Sequence, residues 1–255
     1  GLSLEEWSRP SACAGWTIGD VVAHLTQGAR TWGEAITRAM AGDFAPPPGQ
    51  PPLSPGERGS AATAQRAIDF HQSMGEDALL HAFADGYQQL HQVLLSLHAE
   101  DWDKPCFHRR GVLAMHDYVG LRLQELTMHG WDMRTAFDAA ATLSERSLPV
   151  LLGLAQRWLS NTFHPTPSLP APIRYRFDVS GSAPVQQDVL VSQDRFQREP
   201  VTAGRADVTF RCHTGDYILF VYGRLSLERA VDTGRLVLEG NREQAALFST
   251  LFRGV

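Results

Sequence analysis

The chain has 255 residues, with 23 Lys plus Arg against 28 Asp plus Glu, a formal net charge of −5, and 43% hydrophobic and 20% charged residues. This balance suits a folded chain with a sizeable core and excludes a collagen-like, coiled-coil or wholly disordered polypeptide. A mildly acidic chain offers no general basic field to phosphates, so neither nucleic acid nor an anionic membrane is expected as a partner. No apolar run approaches the ~20 residues that span a bilayer. The opening Gly1-Leu2-Ser3-Leu4-Glu5-Glu6-Trp7 has no basic or apolar leader region, so no secretory signal is expected. Cys13, Cys106 and Cys212 are odd in number, far apart and without CxxC spacing. Three reduced thiols in a cytoplasmic protein are the expectation.

Taken in chain order, the first strong signal is a helix start. Gly15-Trp16-Thr17-Ile18-Gly19-Asp20 sets Thr17 as N-cap and Asp20 three residues on, a capping-box variant whose carboxylate also suits the helix dipole. The helix runs through Val21, Val22, Leu25, Trp32, Ile36 and Met40 and stops near Gly42. Six prolines between Ala45 and Pro55 forbid its continuation and imply an extended loop or lid. Helical spacing returns from Ser60 to Met74 and, past Gly75, from Asp77 to Leu97, with Leu80, Phe83, Tyr87, Leu90 and Leu94 on one face. Asp101 to Arg110 reads as irregular; Met115 to Ala140 and Ser144 to Ser160 read as helices. Four prolines from Phe163 to Pro172 mark a linker. Beyond it, Ile173–Val179, Val189–Val191, Asp207–Cys212 and Arg235–Glu239 carry strand signals, with helical pieces at Thr214–Tyr222, Ser226–Ala230 and Arg242–Phe252. The expected architecture is a helical bundle over residues 1–162 followed by a smaller α+β domain over 168–255 with an antiparallel sheet.

The segment richest in chemistry is Leu121-Arg122-Leu123-Gln124-Glu125-Leu126-Thr127-Met128-His129-Gly130-Trp131-Asp132. Glu125 and His129 share one helix face a turn apart, so both can reach one cation. A carboxylate and a neutral imidazole are ordinary ligands for zinc and similar divalent ions. Asp132 lies a further turn along, as a supporting group. Arg122 lies a turn before, placed to orient Glu125 or to hold an anionic substrate. The same pattern also describes an exposed Glu–His pair worth a few tenths of a kcal/mol. His24, in Val21-Val22-Ala23-His24-Leu25, reads either as a hydrogen-bonded core histidine or as a third ligand from a second helix. Three protein ligands would leave room for water or substrate, as catalytic metal sites do. His91 and His98 read as solvated, and His108-Arg109-Arg110 as a short basic loop cluster able to touch a sugar or phosphate group.

The stretch from Pro10 to Leu25, with Trp16-Thr17-Ile18-Gly19-Asp20-Val21-Val22-Ala23-His24-Leu25 at its heart, resembles the opening motif of the mycothiol-dependent maleylpyruvate isomerase family, within the DinB-like superfamily of four-helix metal bundles. Glu125-Leu126-Thr127-Met128-His129-Gly130-Trp131-Asp132 looks like that family's E-x-x-x-H-x-W-D segment. Leu219–Arg224 and Gly234–Gly240 are similar to the sterol-carrier-like C-terminal domain that its members often bear. The resemblance implies that His24, Glu125 and His129 ligate zinc or another divalent metal, and that the thiol co-substrate is mycothiol. It implies a zinc-dependent enzyme acting on a small-molecule electrophile, as a thiol S-transferase or as a maleylpyruvate-type cis–trans isomerase. Either reaction needs a cation for the substrate's carboxylate or leaving oxygen: Arg224, matching the family's Gly-Arg element, is one candidate and Arg122, from its place on the helix, is another, with Asp132 behind the metal ligands. Two other readings stay open. One is a non-catalytic binder of apolar ligands; the other is a metal-dependent hydrolase with activated water.

Overall fold

The computed structural model describes residues 2–47, 50–53, 61–166, 169–201 and 204–254. Two compact units divide between Ala141 and Thr142.

The first unit is helical. A single turn, α1 (Leu4–Trp7), precedes α2 (Ile18–Met40), α3 (Ala61–Ser73), α4 (Glu76–Leu95) and α5 (Met115–Arg134), with a hairpin of β1 (Pro105–His108) and β2 (Gly111–Ala114) between the last two helices. Helix α2 starts where the capping box directs. The Thr17 side chain accepts from Asp20 N–H, and the Asp20 carboxylate accepts from Thr17 N–H at 2.9 Å. The other Asp20 oxygen meets His71 Nδ1 at 2.8 Å, tying α3 to this helix start. The His71 ring lies directly over Gly19, where no side chain would fit. Along α2, Ala29, Ala35, Ile36 and Ala39 pack with Leu90, Met115 and Tyr118 into one core cluster. Nearer the start of α2, Val22 and Ala23 pack with Trp7 and Leu79. Small residues on the buried face let α4 lie close, with Gly86 against Ala29 at 3.5 Å from where a Cβ would stand.

Three local expectations are corrected here. Residues 105–114 are a β-hairpin, not irregular chain: Cys106 and Phe107 are buried, and Gly111, at φ +128°, makes the turn around Arg109 and Arg110. Helix α5 ends at Arg134 and not near Ala140. The chain turns back there, and the Trp131 indole N–H donates to Ala141 O at 2.8 Å. The bundle was expected to reach residue 162, yet the compact unit stops at Ala141. Helix α6 (Leu148–Thr162) buries Leu148, Leu151, Leu152, Ala155 and Leu159 within the second unit, packed on α7.

The second unit continues with β3 (Ile173–Ser180), β4 (Val185–Val191), β5 (Phe196–Pro200), β6 (Val208–His213), α7 (Thr214–Val221), α8 (Leu227–Asp232), β7 (Leu236–Gly240) and α9 (Arg242–Leu251). The sheet order is β5-β4-β3-β6-β7. It is mixed and not antiparallel throughout, because β3 and β6 pair in parallel, from Tyr175 opposite Val208 to Ser180 opposite His213. Both strands are central and bury alternate residues, a pattern that fits either direction. Phe177, Phe210, Tyr217, Phe220 and Phe248 fill one face of the sheet ring against ring, with centroids 5.1–5.7 Å apart. On the other face, Asp188 is fully buried and clamped by Arg176 at 2.8 Å and Arg174 at 3.1 Å.

Candidate metal centre

Helices α2 and α5 bring three of the expected side chains together. His24 Nε2 lies 3.0 Å from Glu125 Oε2, and His129 Nε2 lies 3.8 Å from the same oxygen. The two imidazole rings meet edge to face at 5.0 Å. One nitrogen from each histidine and one Glu125 oxygen all fall within 4.8 Å of one another. Tetrahedral zinc with bonds of about 2.0–2.1 Å sets its ligand atoms about 3.3 Å apart, so small side-chain adjustments bring this set onto one ion. The donors, two imidazoles and a carboxylate, are those of a borderline divalent cation.

Groups behind the ligands fix their orientation. His129 Nδ1 lies 3.0 Å from Oδ2 of the fully buried Asp132, which leaves Nε2 to face Glu125. The backbone carbonyl of Asp132 accepts from Ala12 N–H at 2.9 Å, so the segment before α2 is docked on the end of α5. That docking places the Trp16 ring 5.1 Å from His24 and 6.0 Å from His129, as a wall beside both imidazoles. Cys13 rides on the same segment, and its sulfur joins His129 and Asp132 in a second cluster within 4.8 Å.

Arg122 occupies the layer beneath. It is 4% exposed, and its Nη2 donates to Leu25 O at 2.8 Å and to the Tyr87 hydroxyl. Its Nη1 would stand 2.6 Å from a Cβ on Gly28, so the guanidinium fits only because α2 carries glycine one turn beyond His24. Nε and Nη1 find no acceptor among the described residues. Burial would raise the Glu125 carboxyl. The hydrogen bond from His24, then the nearby His129, His24 and Arg122 side chains, overturn that and bring it down to about 2. Glu125 is therefore an anion, as a ligand must be. Burial also holds the Tyr87 hydroxyl up at about 12, so it stays neutral.

His24 and Glu125 open onto a cavity of about 920 Å³. Its walls include Trp32, His108, Arg109 and Tyr118, and Pro47, Gln50 and Leu53 of the proline-rich stretch border it; residues 48, 49, 54 and 55 of that stretch lie outside the described residues. Arg122 does not line this cavity; it borders a smaller apolar pocket with Tyr87, Leu94 and Val119. His91 and His98 are exposed. Arg224 belongs to the second unit, in the turn after α7, where its N–H donates to Leu219 O at 2.8 Å. Sequence reasoning gave no role to Tyr118 and read His108 only as part of a basic loop cluster, not as a wall of this cavity. The usable signal was Gly111, a turn former between the apolar pairs Cys106-Phe107 and Val112-Leu113, which marks the hairpin that carries His108.

A helical bundle in which two histidines and a carboxylate converge as a candidate metal centre, followed by an α+β unit, is the class that fold and site define. The family model described as the mycothiol maleylpyruvate isomerase N-terminal domain matches residues 1–134, and the SCP-2 sterol transfer family matches residues 173–253. The chain belongs to the mycothiol maleylpyruvate isomerase N-terminal domain family. Among solved structures, it is similar to a mycothiol-dependent maleylpyruvate isomerase at 17% identity, covering 88% of this chain and 80% of that one with a TM-score of 0.60. A histidine-to-alanine mutant of such an isomerase matches with a TM-score of 0.59 at 16% identity, over 88% of this chain and 80% of that one. Sterol carrier protein 2 like 2 from Aedes aegypti aligns with 41% of this chain and 99% of its own, at 14% identity and a TM-score of 0.31. No curated protein matches the chain.

Proposed function

We propose that the chain is a divalent-metal enzyme, zinc being the best fit, which uses mycothiol as a thiol co-substrate to isomerise a small electrophile about an activated double bond. The observation that carries this reading is the convergence of His24, Glu125 and His129 beside a large cavity. Family membership and the likeness to an enzyme of that activity support the choice of thiol and reaction. When bound, the metal would lower the pKa of a coordinated thiol and hold it as thiolate. A divalent ion with one carboxylate carries a net charge of +1, which one thiolate neutralises.

The chain's own residues supply the rest. Asp132 holds the His129 ring so that Nε2 points to the ligand set. The Arg122 charge favours the anionic form of Glu125. Trp16 shields the edges of both imidazoles from water. Arg224, on the resemblance alone, is proposed as a catalytic cation. In the reaction, a mycothiol thiolate adds to the double bond, the new single bond rotates, and elimination of the same thiolate restores the alkene in the other configuration. Nothing is oxidised or reduced, and the thiol is regained. An S-transferase would instead expel a leaving group and keep the sulfur.

The test is incubation of the zinc-loaded chain with mycothiol and maleylpyruvate or other electrophiles, followed by mass spectrometry and chromatography. A thiol-dependent change of isomer at constant mass is the expected result. A retained sulfur adduct would make the protein a transferase. Turnover with water and no thiol would make it a hydrolase, and tight apolar-ligand binding without turnover a binding protein. A separate metal measurement decides the ligand assignment.

A further inference from the structure

His108 sits on the cavity wall and takes no part in the metal centre. Its ring packs beside the Trp32–Tyr118 pair, with both centroids 6.1 Å away, and those two rings contact each other at 4.0 Å. The backbone N–H of Arg110 donates to His108 Nδ1 at 3.2 Å. A backbone N–H can only donate, so Nδ1 carries a lone pair and the ring proton resides on Nε2. No acceptor for that Nε2–H occurs among the described residues. Burial, then Arg110, lower the imidazole to about 4; the Glu125 charge opposes them and Arg109 adds a smaller push. The ring is therefore neutral near pH 7, and it lies close enough to the metal centre to feel the Glu125 charge.

The hairpin tip sets cations beside this donor. Arg109 and Arg110 form its two-residue loop, and both line the cavity with Arg30. Arg38, also on the wall, pairs with Asp43, and Arg109 Nε donates to Pro51 O at 3.5 Å. A fixed neutral donor beside guanidinium groups suits a ligand that brings both negative charge and hydrogen-bond acceptors, which is the chemistry of a carboxylate. A sugar hydroxyl would not need the cations.

We infer that His108 Nε2–H and Arg109 form a carboxylate-binding subsite that orients the electrophile in the cavity shared with His24 and Glu125. The inference rests on the proposed function for the identity of its ligand as the electrophile. The subsite itself is tested without thiol or turnover, so the two can fail separately.

The experiment titrates the full-length chain, as purified, with succinate, a saturated dicarboxylate inert to thiolates. Calorimetry gives the affinity, and long-range proton–nitrogen NMR of the histidine rings gives the tautomer. The parent chain is expected to bind succinate, to show His108 as the Nε2–H tautomer, and to shift that resonance on binding. His108→Phe keeps the ring packing but loses the donor, and should weaken succinate about tenfold or more. His108→Gln offers an amide donor at similar reach and should recover affinity to within about threefold of the parent. Metal content and far-ultraviolet circular dichroism should be the same in all three. The inference is overturned by an Nδ1–H tautomer, by unchanged succinate affinity in His108→Phe, by loss in the glutamine variant equal to that in the phenylalanine one, or by no succinate binding in the parent.

Discussion

Removing the Asp132 carboxylate should weaken metal binding without touching a ligand. Its Oδ2 lies 3.0 Å from His129 Nδ1, and the side chain is fully buried, so no water replaces it freely. A carboxylate in this position fixes the ring and makes Nε2 a stronger donor to a metal. Loss of such a partner typically costs 10–100-fold in affinity, or about 1.4–2.7 kcal/mol. Asp132→Ala should fall near the upper end. Asp132→Asn keeps an acceptor oxygen without the charge and should lose about tenfold. The main-chain bond from Ala12 N–H to the Asp132 carbonyl survives both changes, so the Trp16 segment should remain docked. Zinc affinity is read by competition with a chromophoric chelator at pH 7. An alanine variant that binds zinc as tightly as the parent, while still folded, would refute the reasoning.

Further consequences follow from individual contacts. Gly28→Ala places a Cβ 2.6 Å from Arg122 Nη1, so the guanidinium must shift and its bond to Leu25 O is strained. A loss of about 1–3 kcal/mol is expected in denaturant unfolding; an unchanged midpoint would show that Arg122 has space to move. Asp188→Ala leaves Arg174 and Arg176 without their buried partner and should cost about 3 kcal/mol, seen as a lower Tm; a cost under about 1 kcal/mol would make the clamp a surface feature. Acid stability follows from the same groups. Burial works to raise the Asp188 carboxyl, but Arg176 and Arg174 outweigh it, and the group sits below its ordinary 3.8. For Asp20, the Thr17 and His71 contacts outweigh burial in the same sense. A lowered folded-state value means that the unfolded chain takes up protons first, so both groups stabilise the fold above about pH 4 and lose that contribution as pH falls through their folded values. Equilibrium unfolding against pH should steepen there, and less so in Asp188→Asn.

What the sequence made legible was local in origin. The Thr17–Asp20 capping box fixes the start of α2, and the i, i+4 spacing fixes the common face of Glu125 and His129. That His24 meets them follows from pairing of α2 with α5, which periodicity does not encode; there the family resemblance supplied the juxtaposition. The cavity wall was not legible for the same reason. His108 reaches Trp32 and Tyr118 through a hairpin whose Pro105 and His108-Arg109-Arg110 run read as loop chemistry. The parallel pairing of β3 with β6 escaped because alternate burial repeats every two residues in either direction. Arg122 shows a subtler case. Its spacing put it on the ligand face, but its destination depends on the missing side chain at Gly28 of another helix.

The most direct test of the metal centre is elemental analysis of the purified full-length chain beside His24→Ala, Glu125→Gln and His129→Ala, each checked for fold by circular dichroism. The account predicts one divalent ion per parent chain and a loss of most of it in each folded variant. A parent chain that takes up no metal on reconstitution with zinc, or folded variants that keep the full amount, would contradict it.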